Sequence, residues 1–311
     1  MRDTLVIATR GSRLALWQAE HVKSRLLALQ PGLDISLNVI KTRGDVILDV
    51  PLSKVGGKGL FVKEIEEALL DGRADLAVHS IKDVPMFLPD GLLLGCVPQR
   101  EVCSDCFLSM SYESVADLPQ GARVGTSSLR RQAQLLASRP DLQILSLRGN
   151  VDTRLRRLQE GHYDAIILAS AGLARLGLSA PKMQPLDPHD FVPAVGQGAL
   201  GIECRDDDYD LFGVLALLED SATRVCVEAE RGFLAGLEGG CQVPIAGHAR
   251  LPDAETVRLD GLVAEVDGSL ILRGEKSGPA SEARHLGQEL ARDLLDKGGR
   301  AILEKLYQPH H

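Results

Sequence analysis

The sequence predicts α/β architecture followed by a smaller α+β module, on three observations. Strand-like and helix-like segments alternate from the start, the alternation recurs in the middle of the chain, and the order changes after about residue 220. Residues 4–9 read as a strand, and Ser12 then stands as N-cap of a helix whose apolar face runs through Leu14, Trp17, Val22 and Leu26 before Pro31-Gly32 ends it. Residues 34–40 alternate polar and apolar as a second strand. Beyond a Gly- and Lys-rich loop, Phe61, Val62, Ile65, Ala68 and Leu69 share one helical face, and residues 75–78 form a third strand. In the middle, residues 122–125 lead to a helix from about Leu129, residues 142–147 to one from about Val151, and residues 165–168 to one from about Ala171. Such alternation implies mainly parallel sheets. After residue 220 come a helix, strands at 258–262 and 269–272 joined near Asp267-Gly268, and a helix through Leu286, Leu290, Leu294 and Leu295.

A length of 311 residues suits two or three domains, and 44% apolar with 25% charged residues is ordinary for a globular protein. The net charge of −8 argues against general nucleic-acid binding, which needs a basic surface. No apolar run approaches the roughly 18 residues of a membrane span, and the N-terminus carries no export pattern, so a cytoplasmic protein is expected. Six scattered cysteines do not form a secreted disulfide framework. Cys103-x-x-Cys106 has the spacing of a metal or redox pair but lacks a second pair, so it reads as structural, and no metal is expected. Cys96, Cys204 and Cys226 read as core residues. No coiled-coil or apolar stripe argues against a monomer.

Chemistry is concentrated where strands end. Thr9-Arg10-Gly11-Ser12-Arg13, His79-Ser80-Ile81-Lys82-Asp83, Thr126-Ser127-Ser128-Leu129-Arg130-Arg131 and Arg148-Gly149-Asn150 each place a cation at the ligand-binding edge of a parallel sheet. Any one of these arginines alone reads as solvated surface. Together they predict an anionic ligand, because a guanidinium in the first turn of a helix opposes the helix dipole unless an anion compensates it. No Gly-rich nucleotide motif follows a strand, so carboxylates are favoured over phosphates. Asp83, set among these cations, is ordinarily a turn residue. In an anion site it suggests a positive charge or polarised N–H developing during reaction, which makes it the catalytic candidate. Lys54 and Lys58 lie on the Gly-rich loop 43–59, a candidate lid. Cys241 follows Gly239-Gly240, where a thiol is presented openly, although a turn cysteine can equally be incidental.

At these residues the sequence resembles the porphobilinogen deaminase (hydroxymethylbilane synthase) family. The matching segments are ATRGSRLALWQA from Ala8, KTRGDVILD from Lys41, KVGGKGLFVKE from Lys54, AVHSIKDVP from Ala77, GTSSLRRQ from Gly125, LRGNVDTRL from Leu147, PAVGQGALGIECR from Pro193 and LEGGCQVPI from Leu237. The resemblance implies three domains: two lobes of the periplasmic-binding-protein type with mixed, mainly parallel sheets, at 1–98 with 193–217 and at 99–192, and an α+β domain at 218–311. It implies that Cys241 holds a dipyrromethane cofactor through a thioether and that Asp83 is the catalytic aspartate. Arg10, Ser12, Lys82, Thr126, Ser128, Arg130, Arg131, Arg148, Arg154, Arg175 and Gln197 would bind cofactor and growing chain. The implied substrate is porphobilinogen, with neither metal nor nucleotide. The segment Arg100–Phe107 departs from the family pattern in carrying the cysteine pair. A non-catalytic two-lobed anion-binding protein is the alternative from another class, and a Schiff base on Lys82 is a second enzymatic one.

Overall fold

A computed structural model of the chain describes residues 3–42, 44, 62–237 and 243–307. Tertiary contacts gather residues 1–101 with 199–224 into one unit and residues 102–198 with 225–311 into a second.

The first unit opens with β1 (Thr4–Arg10), α1 (Arg13–Leu29) and β2 (Asp34–Ile40). It continues through α2 (Lys63–Leu70), β3 (Leu76–Ser80), a single 3-10 turn at Ile81–Asp83, and β4 (Leu92–Cys96). The second unit supplies β5 (Asp105–Ser109), β6 (Arg123–Gly125), α3 (Leu129–Ser138), β7 (Gln143–Leu145), α4 (Val151–Gln159), β8 (Ala165–Ala169), α5 (Ser170–Leu176) and β9 (Lys182–Pro185). The chain then returns to the first unit as β10 (Leu200–Arg205) and α6 (Tyr209–Leu215). It ends in the second unit with α7 (Ser221–Gly236), which begins at the border, followed by β11 (Ile245–Arg250), β12 (Thr256–Ala264), β13 (Ile271–Pro279), α8 (Ala283–Leu294) and α9 (Arg300–Tyr307).

The sheet of the first unit has the order β2-β1-β3-β10-β4. β1 runs parallel to β2 and β3, whereas β10 runs antiparallel to β3 and β4. Alternation along β1 sends Leu5 and Ile7 to one face, where they pack with Val22 and Leu26 of α1. Ala8 faces the other side, where Ile65 and Leu69 of α2 cover it. Ser12 caps α1 by accepting from the Ala15 N–H at 3.3 Å, as the sequence predicts; of the predicted apolar face, Val22 and Leu26 are buried and Leu14 and Trp17 are half-buried.

A second sheet, β7-β6-β8-β5-β9, repeats the plan: β6 is parallel to β7 and β8, and β5 is antiparallel to β8 and β9. Cys106 and Leu108 face a core with Leu155 and Ile166, while Phe107 faces the opposite one with Val124 and Leu135. Each of these sheets is therefore mixed, with a larger antiparallel share than strand–helix alternation suggests. The excess comes from β10 and β5, the first strand after each of two crossings between units. Cys106, read from the sequence as structural, is a core residue, and burial pushes its thiol up to about 11. Burial likewise raises the Cys204 thiol to about 12.

The antiparallel sheet β11-β12-β13 carries α7 and α8 over Phe233, Leu286 and Leu290. Its hairpin turns at Gly268, with φ of +74°, where Asp267-Gly268 predicts it. The two helices meet through glycines. A Cβ on Gly287 would stand 2.1 Å from the carbonyl oxygen of Ala229, and one on Gly232 would stand 2.2 Å from that of Arg284. Both are backbone contacts that cannot rotate away, so the helices would have to separate. Gly287→Ala is expected to lower stability by about 1–3 kcal/mol, read as a lower urea midpoint with an unchanged slope. A midpoint equal to that of the parent would show that the helices part freely.

Candidate functional site

Within the first unit, the strand ends converge on one concavity of about 460 Å³, lined by Arg10, Ser12, Gln18, His79, Ser80 and Asp83 among others. Arg10 ends β1, Ser12 opens α1, and Lys82 and Asp83 lie in the 3-10 turn that β3 feeds. Lys82 is half-buried and Asp83 is exposed. The turn is held by the Ile81 N–H donating to the Ala199 carbonyl at 3.0 Å, so a strand entering late in the chain anchors the residues before Asp83. Gln18 Nε2 donates to Ser80 Oγ at 2.9 Å, tying α1 to the same loop. Four sequence-predicted residues are thus gathered on this unit, three of them on the concavity wall.

The second unit collects the others. Ser128 caps α3, accepting from the Arg131 N–H at 3.4 Å, and Thr126 Oγ1 accepts from the Ser128 N–H at 3.1 Å. Asn150 caps α4. Arg148 and Arg154 are half-buried, and Arg154 Nε donates to the Gly149 carbonyl at 2.8 Å. Arg175 Nη2 donates to the Gly198 carbonyl at 2.7 Å.

Arg130 and Arg131 answer the question raised by their place in the first turn of a helix. They are 4% and 6% exposed, and both bind the fully buried carboxylate of Asp105. Arg130 Nη1 donates to Oδ2 at 2.7 Å, while Arg131 Nη2 and Nε donate to Oδ1 at 2.7 and 3.0 Å. Gln197 Nε2 donates to the same Oδ1 at 3.0 Å, and the Val192 and Ile167 carbonyls accept from Arg130 and Arg131. The anion demanded by these two arginines is present inside the protein. Two guanidiniums against one carboxylate still leave a net positive charge on the cluster. Burial disfavours the Asp105 anion, but the arginines override it and hold the carboxyl well below the usual range.

Sequence reasoning missed Asp105. The available signal is an acidic residue at the head of the strand Asp105–Ser109, all of whose residues are buried. Cys103, half-buried, has its Sγ 3.3 Å from His248 Nε2. Among the described residues there is no cluster of three or more metal-ligating side chains and no helix long and apolar enough to cross a membrane. Cys241, Lys54 and Lys58 lie outside the described residues.

Residues 5–212 match the family model "Porphobilinogen deaminase, dipyromethane cofactor binding domain", and residues 224–296 match "Porphobilinogen deaminase, C-terminal domain". The chain is 64% identical to porphobilinogen deaminase of Nitratidesulfovibrio vulgaris (strain DP4) over 97% of its own length and 96% of that protein. It is 59% identical to that of Maridesulfovibrio salexigens, covering 97% and 98% of the two chains. Among solved structures it is similar to the periplasmic aliphatic sulphonate binding protein SsuA from Escherichia coli, with a TM-score of 0.40 and 17% identity over 76% and 71% of the chains.

Removing the Asp105 charge leaves two buried guanidiniums uncompensated. Asp105→Asn is expected to lose about 3–5 kcal/mol of stability, measured by denaturant unfolding at pH 7. Because folding depresses this pKa, the contribution is present above the ordinary carboxylate range and fades as pH falls below about 4. The variant and the parent should therefore converge in acid; a constant gap down to pH 2.5 would remove the charge from the explanation.

Proposed function

The chain belongs to the porphobilinogen deaminase family, and on that premise we propose how its own residues carry out the family's reaction. The enzyme is a transferase. It condenses four porphobilinogen molecules head to tail with loss of ammonia and gives hydroxymethylbilane, the linear tetrapyrrole precursor, on a dipyrromethane cofactor.

The donor set fits that cofactor and substrate. Both are polycarboxylates, and the two units bring guanidinium, ammonium and hydroxyl groups to the ends of their strands. We assign carboxylate binding to Arg10, Ser12 and Lys82 on the first unit and to Thr126, Ser128, Arg148, Arg154 and Arg175 on the second. Arg130 and Arg131, with Asp105 and Gln197 behind them, supply a fixed excess of positive charge that a ligand carboxylate completes. Cys241 is the attachment point, through a thioether. When bound, the dipyrromethane supplies a free pyrrole carbon as nucleophile and acidic arms for the arginines to hold. Lys54 and Lys58 are assigned to a lid.

Loss of ammonia from the aminomethyl carbon of porphobilinogen leaves an electron-poor azafulvene and positive charge on the ring nitrogen. Asp83 accepts the pyrrole N–H and stabilises that charge, a task for one preorganised carboxylate. Its exposure on the concavity wall, beside Arg10 and Ser80, supports this role more than any other single observation. The surrounding cations hold the acidic arms, which leaves Asp83 to favour the developing cation.

The functional lobes are placed at 1–98 with 193–217, at 99–192 and at 218–311; one sheet in each supports that division. The enzyme is assigned to the cytoplasm and to a monomeric state, without nucleic-acid or membrane partners, in keeping with its acidic composition.

Asp83→Asn should fold as the parent does and lose nearly all turnover of porphobilinogen; ordinary turnover would remove Asp83 from the chemistry. Intact mass spectrometry after denaturation should give a mass above that of the bare polypeptide for the parent and the bare mass for Cys241→Ser, which should form no product. A parent at the bare mass would favour the non-catalytic anion-binding reading.

A further inference from the structure

Behind the wall of the concavity the first unit buries three titratable side chains that the assigned chemistry does not use. His79, on β3, lines the concavity and is 6% exposed. Its Nε2 lies 2.9 Å from Oε2 of Glu203 on β10, a residue with no exposure at all. Neither carboxylate oxygen of Glu203 has a hydrogen-bond partner of good geometry. Glu66, 8% exposed, projects from α2, which packs on β3 and β10.

An ionised carboxylate buried without donors is costly, and two buried together are costlier, because each raises the energy of charging the other. A proton on Glu66 removes one of the two charges. We propose that His79, Glu203 and Glu66 form one proton-sharing unit behind the wall, and that the proton it holds or releases tunes how firmly the concavity retains a carboxylated ligand. This rests on reading the concavity as part of the porphobilinogen site.

Burial, and next the Glu203 carboxylate, push Glu66 up to about 7 against the pull of His79. The change of charge therefore falls near neutrality. The other charged or titratable groups on the elements packed against Glu66 are Lys63, Glu64 and Glu67 of α2, Arg10 of β1, Cys96 of β4, and Cys204, whose thiol burial raises, and Arg205 of β10. Arg205 is bound to the Leu69 and Ala74 carbonyls and to Asp208, and burial holds the Cys96 thiol neutral. As Glu66 loses its proton the wall gains negative charge, so a carboxylated ligand is held less firmly above pH 7 than below it.

The test compares the whole enzyme with Glu66→Gln, an uncharged amide in place of the protonated carboxyl, and with Glu203→Gln. For the parent, the KM for porphobilinogen should rise about threefold between pH 6 and pH 8 while kcat keeps its profile. Glu66→Gln should keep the low-pH KM throughout, and Glu203→Gln should move the rise to lower pH because the neighbouring negative charge is gone. Infrared difference spectra should show a protonated carboxyl band in the parent at pH 6 that Glu66→Gln lacks, a readout independent of turnover. A flat parent KM, a rise that survives in Glu66→Gln, or a band unaffected by that substitution would each overturn the proposal. An enzyme that consumes no porphobilinogen at any pH, yet retains the band, would instead sink the reading of the ligand, leaving the shared proton in place.

Discussion

Much of the second unit depends on one carboxylate with no access to water. Asp105 begins β5 and receives donors from Arg130, Arg131 and Gln197, so it joins a central strand, the first turn of α3 and the loop before β10. Arginines in a first turn are unfavourable by helix electrostatics, and burying them is more unfavourable still. Both penalties are reduced by the same internal anion. The arrangement fixes the direction of the guanidinium planes before any ligand arrives, which is the condition under which charge is most effective in binding. The single carboxylate leaves the pair incompletely neutralised.

The chemistry of the first unit is organised differently. Its cations stand at strand and helix ends with partial access to solvent, and the turn that carries Asp83 is held by backbone hydrogen bonds of Ile81 and Val84. Rigidity comes from β10, whose first residues pair with Ser80 and His79 directly before the turn that carries Asp83. The same strand brings Glu203 beneath His79. One sheet position therefore governs both the placement of Asp83 and the charge behind it.

Sequence made the local units legible wherever a short-range pattern carries them. Ser12 and Ser128 cap their helices, Asp267-Gly268 turns its hairpin, α1 buries Val22 and Leu26 while Leu14 and Trp17 stay half-buried, and α8 buries Leu286, Leu290 and Leu294. What stayed hidden is non-local. β5 is a short run with no helix directly after it, and the antiparallel pairing of both β5 and β10 depends on partners far away in sequence. Asp105 and Glu203 look like ordinary strand residues until their burial is known. The arginine list predicted positive charge at the strand ends but could not separate Arg148, which stays half-buried, from Arg130, whose charge is directed inward.

The sheet order has a consequence for biogenesis. β3 and β4 are not neighbours; β10 lies between them, and more than a hundred residues separate it from β4 along the chain. During synthesis the amino-terminal sheet must wait as two separate pieces with unpaired edges while the ribosome makes the intervening lobe. Such edges are templates for wrong pairing. The late strand therefore acts as a keystone, and the nascent chain is most vulnerable to aggregation in the interval before residue 205 clears the exit tunnel.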